Sequence, residues 1–331
     1  MRIALLVVAG TALVVATLCL GTPSVPPWQL PAVLGSGSGI EHVVVTELRA
    51  PRLVLGALAG IALGTAGMLL QDALRNPLAV PELLGVSSGA AAAVAITIVT
   101  GAAVPFAPLL PAIAGAATGA LLTLLAVRGA VGPAAVLLIG AGVSAALQAL
   151  LLTAVALTGS QEQGVLVRYL LGSLTGTTWP TVATVLPGLA IGLGLAVLAL
   201  PALGLLRLGD GTASVLGLRT ATARIAVLAV ACLLVAAVVG PCGPVAWVGF
   251  LAPQLVRRFR PAAAPLTRLV ACAGTGAVLV VAADLPARTV LYPVELPVGG
   301  LTAVVAVVLG VLLLAGRRRP RPARPVPVGP S

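Results

Sequence analysis

The sequence predicts an all-α integral membrane protein with about ten transmembrane helices, and three observations predict it. First, 60% of its 331 residues are hydrophobic and only 8% are charged. A water-soluble domain cannot bury that much apolar surface, because its exterior still has to meet water. Second, the apolar residues gather into runs of about 20, the length a helix needs to cross a bilayer. Third, aromatics supply 2% of the chain while glycines number 39. Small residues at that density let neighbouring helices approach closely, as in a packed polytopic bundle.

The candidate spans, in order, are residues 3–21, 52–72, 83–101, 107–127, 134–158, 180–200, 224–241, 244–256, 268–288 and 296–315. The first could be mistaken for a secretory signal. Its apolar run is longer than a signal core, however, only Arg2 precedes it, and no small-residue cleavage site stands out. The eighth is short and proline-interrupted, and the sequence Gly240-Pro241-Cys242-Gly243-Pro244 divides it from the seventh. Residues 1–316 read as a single transmembrane domain. Residues 317–331 read as a disordered, Arg- and Pro-rich cytoplasmic tail.

Arginine placement orients the chain. With a cytoplasmic N-terminus and ten crossings, Arg75, Arg128, Arg207, Arg219, Arg224, Arg257, Arg258 and Arg260 fall in cytoplasmic connections with the tail arginines. Arg49, Arg52, Arg168 and Arg288 stay on the opposite side, so both termini are expected in the cytoplasm of a cell-membrane protein. Three connections stand out: residues 22–48 as an outer loop, 159–178 as a short outer interfacial helix, and 201–223 as the longest inner connection.

Composition also excludes functions. All 19 basic residues are arginine. A Walker A loop needs a lysine on the phosphates, so the chain is not its own P-loop ATPase. The net charge of +11 reads as the positive-inside signature rather than as a nucleic-acid surface. Cys19, Cys232, Cys242 and Cys272 form no C-x-x-C pair and have only His42 as a companion. No metal site or cofactor is expected. No Ser/His/Asp set or carboxylate pair suggests hydrolysis, which argues against an intramembrane enzyme.

Four groups of residues carry the functional reading. The outward arginines Arg49, Arg52 and Arg288 either snorkel at the interface or receive an acidic partner, since exposed guanidiniums bind carboxylates bidentately. The inner stretch Leu208-Gly209-Asp210-Gly211-Thr212-Ala213-Ser214-Val215-Leu216-Gly217 suits two short helices between glycine turns. The segment Gly243–Arg257, with Gly249 and Pro253, suits a distorted helix packed on the bundle. At the exit of the second span, Gln71 is either an interhelical hydrogen bond or a pathway residue, and Asn76, Pro77, Pro81 and Glu82 turn the chain.

These motifs, in this order, resemble the FecCD family of ABC-importer permeases, which move iron–siderophore complexes, haem or cobalamin. The matching elements are Arg49-Ala50-Pro51-Arg52, Arg75-Asn76-Pro77-Leu78-Ala79, the Leu208–Gly217 loop, Gly243–Arg257, Ala283-Asp284-Leu285-Pro286-Ala287-Arg288 and Glu295-Leu296-Pro297-Val298-Gly299. The resemblance implies a cobalamin-importer-like permease bundle, as a homodimer or a heterodimer with a related permease. It implies an extracytoplasmic substrate-binding protein docking at Arg49, Arg52 and Arg288. It implies ABC ATPase subunits coupling at Leu208, Gly209, Asp210, Ala213, Leu216 and Gly217. Gln71, Asn76, Pro77, Gly249 and Pro253 are expected to serve the pathway or its packing, and Glu295 to pair with Arg288 or cap the last helix. The chain departs from the family pattern at Asp210 for Glu, Trp247 for Phe, Gln254 for His, and Val80 where an acid is usual. The expected cargo is ferric siderophore, with cobalamin or haem as alternatives. An ion-coupled secondary transporter is the competing class, but it would bury ionisable residues near mid-membrane, whereas Asp72, Asp284 and Glu295 lie near span ends.

Overall fold

Each of the ten apolar runs is helical in the computed structural model, which describes residues 2–105, 108–126, 133–157 and 171–315. Helix α1 spans Arg2–Cys19, and α2 is a short helix, Leu30–Ser36. Helix α3, Ile40–Val43, continues through a π turn, Val44–Arg49, into α4, Ala50–Ala73. There follow α5 (Val86–Thr100), α6 (Leu109–Ala126), α7 (Pro133–Ala156), α8 (Trp179–Arg207), α9 (Asp210–Val215) and α10 (Thr220–Cys242). The remaining helices are α11 (Val248–Phe259), α12 (Pro265–Thr289) and α13 (Val298–Ala315). Among the described residues six helical segments are long and apolar enough to cross a membrane, and α1, α5 and α13 contain shorter apolar helices. At 12 residues, α11 is only about 18 Å long and does not cross alone.

Helix α4 is the centre of the bundle, buried on nearly every side from Leu55 to Ala73. Its glycines explain how neighbours come so close. A Cβ on Gly60 would lie 2.2 Å from the Gly276 carbonyl oxygen of α12, one on Gly64 2.3 Å from that of Cys272, and one on Gly67 1.9 Å from that of Gly249 on α11. These are backbone contacts that no side chain can yield to. Helices α5 and α6 repeat the device, Gly89 against Gly115 and Gly85 against Gly119. By contrast α6, α7, α8 and α13 leave large apolar side chains uncovered, including Leu121, Leu138, Leu152, Leu198, Val304 and Val307. Such faces are stable only against lipid or another chain.

Two expectations for the connections are corrected. Residues 22–48 are largely helical. Proline at the start of the first turn, Pro27, and a left-handed Gly37 that ends α2 frame a helical hairpin, and His42 Nδ1 lies 2.8 Å from the Val33 carbonyl across it. Ile40–Ala73 then runs for 34 residues, about 51 Å, so it extends well past a hydrocarbon core of about 30 Å. In the 201–223 connection α8 persists to Arg207, and one short helix forms, not two; Leu216–Arg219 is a turn leading into α10. Most of the expected interfacial helix at 159–178, and the tail at 317–331, lie outside the described residues.

Candidate functional site

Functional side chains gather at the two ends of α4. At its N-terminal end Arg52 grips Asp284 of α12 with Nε and Nη2, at 3.0 and 2.8 Å to Oδ1, and reaches Glu295 with Nη1 at 2.8 Å. Glu295 also accepts the Thr175 hydroxyl at 2.5 Å. Burial alone would raise the Glu295 carboxyl, but Thr175 and Arg52 outweigh it and hold the group below the usual carboxylate range. Arg288, one turn beyond Asp284, lies 3.8 Å from it and donates to the Thr17 carbonyl. Arg49 donates to the carbonyls of Leu18, Cys19 and Pro23 at 2.8, 3.3 and 2.5 Å. Two arginines therefore satisfy the orphan carbonyls at the C-terminus of α1, where its dipole is negative.

This corrects the expectation of exposed guanidiniums: Arg49 and Arg52 are 5% and 8% exposed, and the Arg288 side chain is 7% exposed. Glu295 pairs with Arg52 rather than chiefly with Arg288. The physical reason is that an arginine at a helix end is cheapest when its fork meets carbonyls and carboxylates from neighbouring elements. Among the described residues Arg52 and Arg288 share Asp284 and Glu295, while Arg49 is held by backbone carbonyls, so all three guanidiniums brace the junction of α1, α4 and α12.

At the other end of α4, Gln71 is buried and donates to the Gly249 carbonyl at 3.1 Å while accepting from Arg257. It makes an interhelical hydrogen bond between α4 and α11. Asp72 lies 3.3 Å from Arg268 of α12 and 3.9 Å from Arg207 of α8. Asn76 Oδ1 accepts the Leu78 N–H at 3.0 Å, turning the chain around Pro77, whose carbonyl accepts Gln254 Nε2 at 3.0 Å. Gln254 thus has a role of its own here. Pro253 is buried inside α11, and Gly249 is where that helix meets Gly67 and Pro81.

The loop after α8 begins at Gly209, whose φ of 106° is a conformation that side chains disfavour. That turn sets Asp210 at the head of α9. Ala213 is fully buried against the bundle, whereas Leu208, Val215 and Leu216 are 60%, 87% and 56% exposed. Leu216 and the left-handed Gly217 then turn the chain toward α10. Exposed apolar side chains on and beside a short helix, in a region otherwise rich in arginine, make a surface shaped for contact. Sequence reasoning passed over Val215 as an exposed side chain, and over Arg75 and Arg224 as partners of Asp210.

Glu82 was displaced from the expected position of an acid, and its surroundings explain how it is tolerated. It sits in the 3-10 turn Pro81–Leu84, fixed by the Ser144 hydroxyl to the Glu82 carbonyl at 2.6 Å and by Thr123 to the Leu84 carbonyl at 3.0 Å. Both carboxyl oxygens are buried. Burial pushes the carboxyl up to about 7, against the backbone N–H groups of Glu82 and Trp247 that draw it down. A group raised in this way costs nothing below about pH 4, where both folded and unfolded chains are protonated, and costs more as pH rises to 7. Glu82→Gln should therefore gain on the wild type between pH 4.5 and 8, by on the order of 3 kcal/mol at the alkaline end. Unfolding midpoints in mixed detergent at the two pH values measure this, and an unchanged difference would count against a buried acid.

Residues 5–315 match the profile of the FecCD transport family. The chain is 34% identical to the Fe(3+)-citrate import system permease protein YfmD of Bacillus subtilis, over 80% of this chain and 79% of that one. It is 36% identical to the Fe(3+) dicitrate transport system permease protein FecD of Escherichia coli, over 96% and 100%. It is 36% identical to the achromobactin transport system permease protein CbrC of Dickeya dadantii, over 90% and 86%. Among solved structures, an ABC transporter of metal-chelate type in an inward-facing conformation superposes with a TM-score of 0.78 at 25% identity, covering 92% of this chain and 96% of that one.

Proposed function

The chain belongs to the FecCD transport family, and from that premise we propose that it is the membrane-embedded permease of an ATP-driven importer of ferric siderophores or related ferric chelates. The short helix α9 carries this reading. With the turns that flank it, α9 presents Leu208, Val215 and Leu216 to the exterior while Ala213 anchors it inward, as a lever seated in a groove of an ABC ATPase requires. ATP hydrolysis belongs to that partner, since this chain has no lysine for a phosphate loop. The extracytoplasmic end, where Arg49 and Arg52 at the start of α4 meet Arg288 of α12, receives a substrate-binding protein. There the buried arginines brace the platform on which the binding protein docks. Two permease chains, identical or related, meet through the uncovered faces of α7 and α13, with both termini in the cytoplasm.

The test is assembly. Reconstituted in lipid with its ABC ATPase, the chain should form a stable complex whose ATP hydrolysis rises when a loaded binding protein is added. Val215→Glu should weaken ATPase association about tenfold or more, because it places a charge at the apolar centre of the contact. Association unaffected by Val215→Glu would move the contact away from α9.

A further inference from the structure

Asp210 is the residue on α9 whose environment the proposed contact leaves unexplained. Although the side chain is half-exposed, its Oδ1 is held from within the chain: it receives Arg224 Nη2 at 2.7 Å and Arg75 Nη2 at 3.3 Å. These arginines come from two different elements, the first turns of α10 and the turn that follows α4. Arg224 also donates Nε to the Ala73 carbonyl at 3.1 Å. One guanidinium therefore bridges the carboxylate at the head of α9 and an orphan carbonyl at the C-terminus of α4. The chain of contacts continues, since Pro77, next to Asn76, is held by Gln254 of α11, and Gln71 of α4 is held to Gly249 of the same helix.

From this arrangement we propose that Asp210 is a positioning residue that locks α9 to the end of α4, transmitting movement of α9 to residues 73–77 and from there to α11. This rests on the reading of α9 as the ATPase seat but assigns Asp210 a different duty from its neighbours: Leu208, Val215 and Leu216 face the partner, and Asp210 pairs with Arg75 and Arg224 of this chain. Half-exposed ion pairs add little to stability; what this one supplies is a fixed geometry, because two forks converge on a single oxygen. Gly209 belongs to the same device. A Cβ there would stand 3.2 Å from Arg75 Nη1, so glycine leaves room for the arginine to reach the carboxylate. Rigid elements joined through discrete polar contacts are the physical means by which a displacement at one site biases another.

Hydrogen–deuterium exchange on the reconstituted complex with its ABC ATPase separates the two duties. In wild type, ATPase binding should protect residues 208–217, and adding ATP with vanadate should change exchange at residues 73–77. Asp210→Asn should keep the first and reduce the second roughly fivefold or more. Asp210→Glu, which keeps the carboxylate, should retain both. Arg224→Gln should reproduce the asparagine variant, and combining the two should be no worse than either alone. If Asp210→Asn instead loses protection of 208–217, Asp210 is a partner contact and the proposal is overturned. It is equally overturned if residues 73–77 respond in Asp210→Asn as in wild type. Wild type showing no protection of 208–217 at all would overturn the assignment of α9 itself.

Discussion

Asp284→Ala is expected to destabilise the protein more than removal of either arginine that faces it. Asp284 is 2% exposed and Arg52 8%, and the pair is joined by hydrogen bonds of 2.8 to 3.2 Å. Removing one partner of a buried ion pair costs about 3–5 kcal/mol, because the survivor is left charged and unsolvated. Here the costs are unequal. Without Asp284, both Arg52 and Arg288 lose their buried counter-charge. Without Arg52, Asp284 still has Arg288 at 3.8 Å, and Glu295 keeps Thr175 and partial exposure to solvent. Replacing Arg52 and Asp284 together by leucine removes both charges and should cost less than Asp284→Ala alone. Unfolding in a graded detergent mixture measures the four proteins. A double variant as unstable as the sum of its singles would show that the pair does not act as a unit.

The second large effect concerns α4 itself. Gly67→Ala places a methyl group 1.9 Å from the Gly249 carbonyl oxygen, and backbone cannot swing aside. Helices α4 and α11 must separate, at a cost of about 1–3 kcal/mol or more. The separation also pulls at the Gln71–Gly249 hydrogen bond one turn away. Gly194 of α8, with nothing within 4 Å of its Cβ position, is the internal control. Gly194→Ala should be neutral or stabilising, since alanine favours helix by about 1 kcal/mol over glycine. Thermal unfolding of both variants in the same lipid or detergent decides the matter. Equal effects would mean that α4 is not packed backbone to backbone.

How much of this was legible beforehand differs between fold and site. Each apolar run was visible because a bilayer demands long apolar helices. Residues 22–48 misled because prolines and glycines signal a loop, although Pro27 and Gly37 here bound helices rather than break them. The site was harder to read. Arg52 finds its carboxylates 232 and 243 residues away, and nothing local announces such a pairing. Arginine at a span end looks like a free docking group until the opposing helix is known. Asp210 shows the same difficulty from the other side. Its place in the motif was plain, yet its partners were chosen by the path of the chain around α4.

The central claim, ATP-driven import through this permease, is tested most directly by uptake of labelled ferric siderophore or ferric citrate into proteoliposomes. These would hold the chain, its ABC ATPase and enclosed ATP, with loaded binding protein outside. The account predicts uptake that requires all three proteins, stops when ATP is replaced by a non-hydrolysable analogue, and persists when a proton uncoupler is added. Uptake that continues without the ATPase and collapses with the uncoupler would contradict it.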